Sequence, residues 1–348
     1  MNIIYSRNYS TDRLKETYKT IDVFKFAFSF LVIAIHTRFV DSFDNNYLTE
    51  IFKQIFSVAV PFFFMASGFL IEAKVEHSSQ EYSEVLRRHL FKMIKMYVTW
   101  SIIYSPLAIY GLIKKGNPPL VMIRSYFQRL IFVGEHYNTW HLWYLLSTVY
   151  AFALLFILSP KLKVNFNRIL ITVVIVFAII GTTVHWIATT TMLGEDGVAK
   201  TLVASTIVGE RVLNGLIFIP IGMLLRRYTF CNSFKIIAFI SCFALDVIVK
   251  NDAISSILAA LYFVLLFEIL LEVKTGIEKT VLLRTMSTNI YLIHMYVWTA
   301  ICFLLYHKLV YGIPVFIVTA LLSLALSCLW DVIKKKYLES RKNEEYKR

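Results

Sequence analysis

The segment IDVFKFAFSFLVIAIHTRFV at 21–40 is apolar enough to lie in a membrane, yet it carries two residues that a membrane excludes, Lys25 and His36. Eleven steps at about 100° per residue make roughly three turns plus 20°. Both side chains therefore share one helix face, about 16 Å apart along the axis at about 1.5 Å per residue. Ser29 falls on the same face, and Asp22 lies near its start. A charge at bilayer depth costs at least about 2.5–3.5 kcal/mol. Such a stripe faces protein or a water-filled cavity, so the chain needs further helices to enclose it.

The composition supplies them. Hydrophobic residues make up 57% and charged residues 17% of the 348, against about 25% charged in soluble domains. Ten apolar stretches have spanning or near-spanning length, at 21–40, 52–73, 93–113, 139–159, 168–189, 206–225, 234–250, 253–271, 284–306 and 311–333. The pair at 234–271 is split only by Lys250, Asn251 and Asp252 and reads as a tight helical hairpin. The expected fold is an all-α polytopic membrane protein of about ten transmembrane helices. Its divisions are an N-terminal segment at 1–20, a membrane domain at 21–333 and a basic tail at 334–348.

A net charge of +13 could suggest nucleic acid, but its distribution argues against it. With an inside N-terminus and ten spans, 25 of the 36 Lys and Arg fall in inner segments and 10 in outer ones. That asymmetry is the positive-inside pattern and predicts both termini in the cytoplasm. The outer loop at 114–138 fits it least, with four basic residues. Polar first residues and a long first apolar run predict no cleavable signal peptide. Cys231, Cys242, Cys302 and Cys328 suggest no disulfide framework, since three lie in expected spans and one in an inner loop.

Several positions could carry chemistry. A neutral imidazole at His36 is suited to act as a general base near pH 7, unless a neighbouring helix simply satisfies it. Lys25, close to the inner boundary, would meet an anionic ligand from the cytoplasm or snorkel to the interface. The inner loop EYSEVLRRHLFKMIKMY offers Arg87 and Arg88 to anionic lipid headgroups or to the phosphates of a nucleotide-containing cofactor. No Walker or GxGxxG element is present. In VAVPFFFMASGFLI, Pro61 is expected to kink the second span, while Ser67 and Gly68 allow close helix approach. In NTWHLWYL, Trp140, Trp143 and Tyr144 fit an outer aromatic belt, which explains His141 less well, and the nearby Glu135 and His136 lack a metal-ligand spacing. Arg211 could hold a carboxylate or an oxyanion, or anchor the span by snorkelling. Arg226 and Arg227 read as topogenic. Tyr291 and His294, three apart in MSTNIYLIHMYVW, would be neighbours on one helix near mid-membrane.

Taken together and in order, IDVFKFAFSFLVIAIH, VPFFFMASGFLI, ERVLNGLIFIPIGMLL and IYLIH resemble the motifs of the membrane acyltransferase-3 family. The resemblance covers the whole apolar region. Within that family, WHLWYL and the basic tail are most similar to the membrane module of vancomycin-resistance serine racemases. The family usually carries Arg where this chain has Lys25, which keeps the charge and loses the bidentate fork.

What the resemblance implies is a multi-pass protein of a bacterial cell membrane. It would move an acyl group, by default acetyl, from cytoplasmic acyl-CoA (acetyl-CoA) to a hydroxyl or amine outside. His36 would be the base, and Lys25, Ser29, Arg87 and Arg88 would bind the donor. Arg211, Tyr291, His294 and His141 would serve the oxyanion or the acceptor, a small molecule or a glycan. Neither a metal nor nucleic acid enters this expectation. The racemase likeness leaves a second reading open, a transporter for a small polar amino acid such as L-serine.

Overall fold

The computed structural model describes residues 4–7, 9–78, 80–116, 118–189, 210–249 and 251–346. The first four residues of the expected stretch at 206–225 lie outside them, as do Lys200, Lys250 and the last two residues of the tail. The chain divides into two compact units, Met1–Leu14 with Val60–Val273, and Lys15–Ala59 with Lys274–Arg348.

Among the described residues, five helical segments are long and apolar enough to cross a membrane, Asn46–His77, Trp140–Val184, Ala253–Leu270, Thr280–Tyr306 and Ile313–Tyr337. A sixth is added if Tyr82–Ile103 and Ser105–Lys114, bent by 51°, form one span. Two of the expected stretches fall within Trp140–Val184. Its 45 residues would extend about 68 Å, twice the hydrocarbon thickness of about 30 Å. The backbone leaves helical geometry at Asn165 (φ −129°, ψ 49°), which breaks that length in two.

The larger unit opens with strand β1 (Ile4–Ser6), which pairs antiparallel with β2 (Tyr228–Phe230), so the described fold is not purely α. Between these strands run α3 (Ala59–His77), α4 (Tyr82–Ile103), α5 (Ser105–Lys114), α6 (Pro119–Gln128), α7 (Trp143–Thr189) and α8 (Glu210–Arg227). After β2 come α9 (Asn232–Ile248) and α10 (Asp252–Leu270). These last two pack against each other as the expected hairpin, and Asn251 caps α10 by accepting from the backbone N–H groups of Ala253 and Ile254.

The loop expected at 114–138 contains a helix of its own, since Pro119 starts α6 at a position where its missing N–H is not needed. The helical run Asn46–His77 is interrupted at Val58. Pro61 then lies in the first turn of α3, and Ser57, whose carbonyl the proline ring would strike, ends α2.

Buried charges lock the larger unit at one end. Glu72 is fully buried and accepts from Tyr82 (2.7 and 2.6 Å to its two oxygens) and from Arg227 Nε (2.8 Å). Arg226 pairs with Glu76 at 2.7 Å. Arg226 and Arg227 are therefore more than topogenic residues: each holds a carboxylate of α3. Arg7, just after β1, pairs with the buried Glu268 at 2.8 Å, and Lys235 pairs with Glu272.

Helices α3 and α8 meet backbone to backbone. A Cβ on Gly68 would overlap the carbonyl oxygen of Ile219, and one on Gly222 would overlap that of Met65. Gly68→Ala and Gly222→Ala are each expected to destabilise the protein by about 1–3 kcal/mol through overpacking. Thermal unfolding in detergent should show both as lowered midpoints, and an unchanged midpoint would contradict the packing.

The smaller unit holds most of α1 (Thr11–His36), α2 (Asn46–Ser57), α11 (Thr280–Ile301) and α12 (Ile313–Tyr346). Asn45 caps α2 by accepting from the N–H groups of Tyr47 and Leu48. Ile33 of α1, Ile290 of α11 and Ala320 of α12 form one buried cluster, flanked by Phe26, Phe30, Phe316 and Leu324. The basic stretch expected at 334–348 is helical as far as Tyr346, as the continuation of α12.

Candidate active site

Helices α1 and α11 run side by side in the same direction. Thr280 Oγ1 donates to Asp22 Oδ2 (3.1 Å), and Ser287 Oγ donates to the Lys25 carbonyl (2.9 Å). One step further along, Ile33 meets Ile290. Beyond that level the rings of His36 and His294 lie close together, with centroids 5.3 Å apart and planes 31° from parallel. Two residues 258 positions apart in sequence are thus brought together by helix register.

His294 is fully buried, and its Nδ1 lies 2.7 Å from the Tyr291 carbonyl and 3.2 Å from the Ile290 carbonyl. Carbonyls only accept, so Nδ1 carries the proton and Nε2 of the neutral ring carries the lone pair; this tautomer is assigned from the partners. In that form Nε2 accepts a hydrogen bond and cannot donate one to an oxyanion. The Tyr291 ring lies 6.1 Å from His294.

His36 is the last residue of α1. The N–H and the hydroxyl of Thr37 both donate to the Ile33 carbonyl at 2.8 Å, and the backbone leaves the helix at Arg38, which is left-handed (φ 50°, ψ 49°). The carbonyl of Thr37 accepts from Gly312 N at 2.8 Å, which ties this end of α1 to the start of α12. Arg38 lies over the ring of Tyr311, 4.9 Å from its centroid.

The remaining expected residues are distributed less simply. Ser29 is buried, and its hydroxyl donates to the Phe26 carbonyl (2.7 Å), a bond within its own helix. Lys25 is half-buried on the same helix. Arg87, Arg88, His141 and Arg211 belong to the larger unit. Arg88 is exposed and paired with Glu84, and Arg87 is exposed. His141 is buried edge-on to Tyr104, with centroids 4.9 Å apart. Arg211 is not the buried cation that an oxyanion needs: its side chain is 61% exposed and pairs with Glu135 at 3.0 Å. Burial pushes the Glu135 carboxyl above its ordinary value, opposed by Arg211 and Arg129. Burial also pushes the His136 imidazole down to about 4, helped by Arg129.

Sequence reasoning missed the carboxylate partners. The spacing Glu72-x-x-x-Glu76 on one face of a span, set against two consecutive arginines ending another, was the available signal. Among the described residues, no group of three or more His, Cys, Asp or Glu could hold a metal ion.

Gly312 adopts φ +102°, a backbone conformation that disfavours a side chain. Gly312→Ala is expected to cost about 1–3 kcal/mol. The loss should appear as a lower thermal midpoint, and a neutral result would mean that the closure between α1 and α12 is not held as described.

The geometry can now be set beside known proteins. The sequence profile of the acyltransferase-3 family, described as an acyltransferase domain, matches residues 18–329. An amino-acid racemase of Enterococcus faecalis is 24% identical over 221 residues, covering 61% of this chain and 28% of that protein. A second amino-acid racemase of the same organism is 29% identical over 163 residues, 45% of this chain and 22% of the other. A serine/alanine racemase of Enterococcus gallinarum is 30% identical over 155 residues, 43% and 21% respectively. The chain thus aligns with about a quarter of the length of these relatives. No solved structure matches. With its profile match running from 18 to 329, this multi-pass membrane protein belongs to the acyltransferase-3 family.

Proposed function

We propose that the protein transfers an acyl group, acetyl in the simplest case, from cytoplasmic acyl-CoA to a hydroxyl or amine acceptor on the other side of the membrane. The observation that carries this reading is the pairing of His36 with His294. A thioester is already activated, so the protein needs mainly to position two reactants and move one proton. His36 takes the proton of the acceptor as the acceptor attacks the thioester carbonyl. The CoA sulfur leaves as thiolate and receives that proton from His36. His294 supports the protonated imidazole through Nε2, a change from the oxyanion or acceptor role that the resemblance implied. The Tyr291 hydroxyl is then the donor to the oxyanion on this side of the site.

Lys25 offers its charge to the anionic donor, and Ser29 shapes the same face of α1. Arg87 and Arg88 are exposed cations suited to phosphates or to anionic lipid. Arg211 and His141 remain proposals for acceptor binding, Arg211 through exchange of its Glu135 partner for an acceptor carboxylate. The topology that goes with this reading has ten spans and both termini in the cytoplasm. Its divisions are a segment at 1–20, the membrane domain at 21–333 and the basic stretch at 334–348. The similarity to proteins named racemases favours one other reading, passage of a small polar amino acid such as L-serine through this domain.

The decisive experiment measures acetyl-CoA binding and slow thiol release by the detergent-purified protein. His36→Ala should bind the donor and lose about 10²–10⁴ in kcat. Lys25→Ala should weaken donor binding about tenfold, or about 1.4 kcal/mol. Absence of binding by acetyl-CoA and by longer acyl-CoAs overturns the reading, and L-serine uptake into sealed vesicles then becomes the test.

A further inference from the structure

The last helix carries polar groups with nothing to bond. Thr319, Ser323 and Ser327 are fully buried, yet among the described residues their hydroxyls have no hydrogen-bond partner. Asp331 Oδ2 is buried and equally unpartnered. These residues recur every fourth position along α12, spanning about 18 Å at 1.5 Å per residue. Serine and threonine in membrane helices ordinarily return their hydroxyl to the carbonyl one turn back, as Thr37 and Ser67 do here. The three on α12 do not.

Their position along the helix is informative. Gly312 N bonds to Thr37 O, and Ala320 shares a buried cluster with Ile33 and Ile290, so α12 descends antiparallel to α1. Equal rise on both helices brings Ser323 level with about Phe30, Ser327 with about Phe26 and Asp331 with about Asp22. Rotation about the axis agrees. Ser323, Ser327 and Asp331 lie within about 60° of Ala320, and Ser29 and His36 within about 60° of Ile33. The stripe of Asp22, Lys25, Ser29 and His36 on α1 thus has a polar counterpart at matching heights on α12.

Leaving buried hydroxyls without partners costs free energy. A guest that supplies those partners relieves that cost, less the desolvation of its own polar groups. The guest must be narrow, extended and furnished with spaced hydrogen-bonding groups.

We infer that Thr319, Ser323 and Ser327, with Asp331 at the foot, form the second wall of a seam beside the α1 stripe that takes the diamide (pantetheine) arm of the acyl-thioester donor. This rests on the acyl-CoA reading above. The hydroxyls act as positioning groups: they bind the arm in register so that the thioester reaches His36, and they take no part in proton transfer. In the resting protein the seam is closed.

The test compares the full-length wild type with Ser323→Ala and Ser327→Ala in detergent. CoA, pantetheine and N-acetylcysteamine serve as probes, and Lys25→Ala as a reference. Removing an unsatisfied hydroxyl should raise the thermal midpoint of the ligand-free protein. It should also raise the Kd for CoA and pantetheine about tenfold, about 1.4 kcal/mol. The short N-acetylcysteamine, which lacks most of the arm, should bind equally to all. Ser327→Thr, which restores a hydroxyl, should recover the affinity. A purely structural serine gives the opposite sign, a lower midpoint with affinity unchanged, and that outcome overturns the inference. Unchanged pantetheine affinity overturns it whatever the midpoint does. If wild type binds CoA and only Lys25→Ala weakens it, the seam falls and the donor reading stands. If wild type binds neither CoA nor pantetheine, both fall together.

Discussion

Register between α1 and α11 underlies the whole of the smaller unit. Two hydroxyl groups fix it, Thr280 on Asp22 and Ser287 on the Lys25 carbonyl. Inside a membrane no water waits to replace a broken bond, so each such contact resists slippage more firmly than it would at a wet surface. A slip of one turn, about 5.4 Å, would separate the two imidazoles by more than a ring width. The Ile33–Ile290–Ala320 cluster adds shape to that register and brings α12 against the same line. The closeness of His36 and His294 descends from these few contacts.

Much of the helical layout was legible because a long apolar run has few alternatives in lipid. The hairpin at 234–271 was legible in the same way, since a polar triplet between two runs leaves only a turn. Legibility failed where a residue's effect depended on its neighbours in space. Pro61 signalled an interruption of its span, but not that α2 ends at Ser57 and α3 starts afresh at Ala59. The two strands β1 and β2 could not be found, because two three-residue runs far apart in the chain carry no periodic signal. In the candidate site, the α1 stripe and the Tyr291–His294 pair could be read from spacing. Three details could not: which imidazole nitrogen holds the proton, that Ser29 bonds within its own helix, and that Arg211 is exposed and paired with Glu135. All three depend on partners that sequence distance hides.

The larger unit meets its charges by a different rule. Glu72 and Glu268 are fully buried, and each is ringed by donors: Tyr82 and Arg227 for the first, Arg7 and Thr229 for the second. Removing one partner of such a buried pair costs about 3–5 kcal/mol, whereas replacing both by apolar groups costs little. These pairs therefore specify which segments meet more than they add to stability. They account for basic residues that an electrostatic reading of topology would assign to the membrane surface alone.

The reciprocal contact of Gly68 and Gly222 has an evolutionary side. Each glycine admits the backbone of the other's helix, and the two contacts run antiparallel at 65–222 and 68–219. Any side chain at one position forces α3 and α8 apart. Once they have spread, a side chain at the other position meets no further resistance. The two sites are thus epistatic: the first substitution bears nearly the whole penalty, and the second is close to silent. A lineage that holds both glycines is confined by their joint geometry, and one that has lost either is free to lose both.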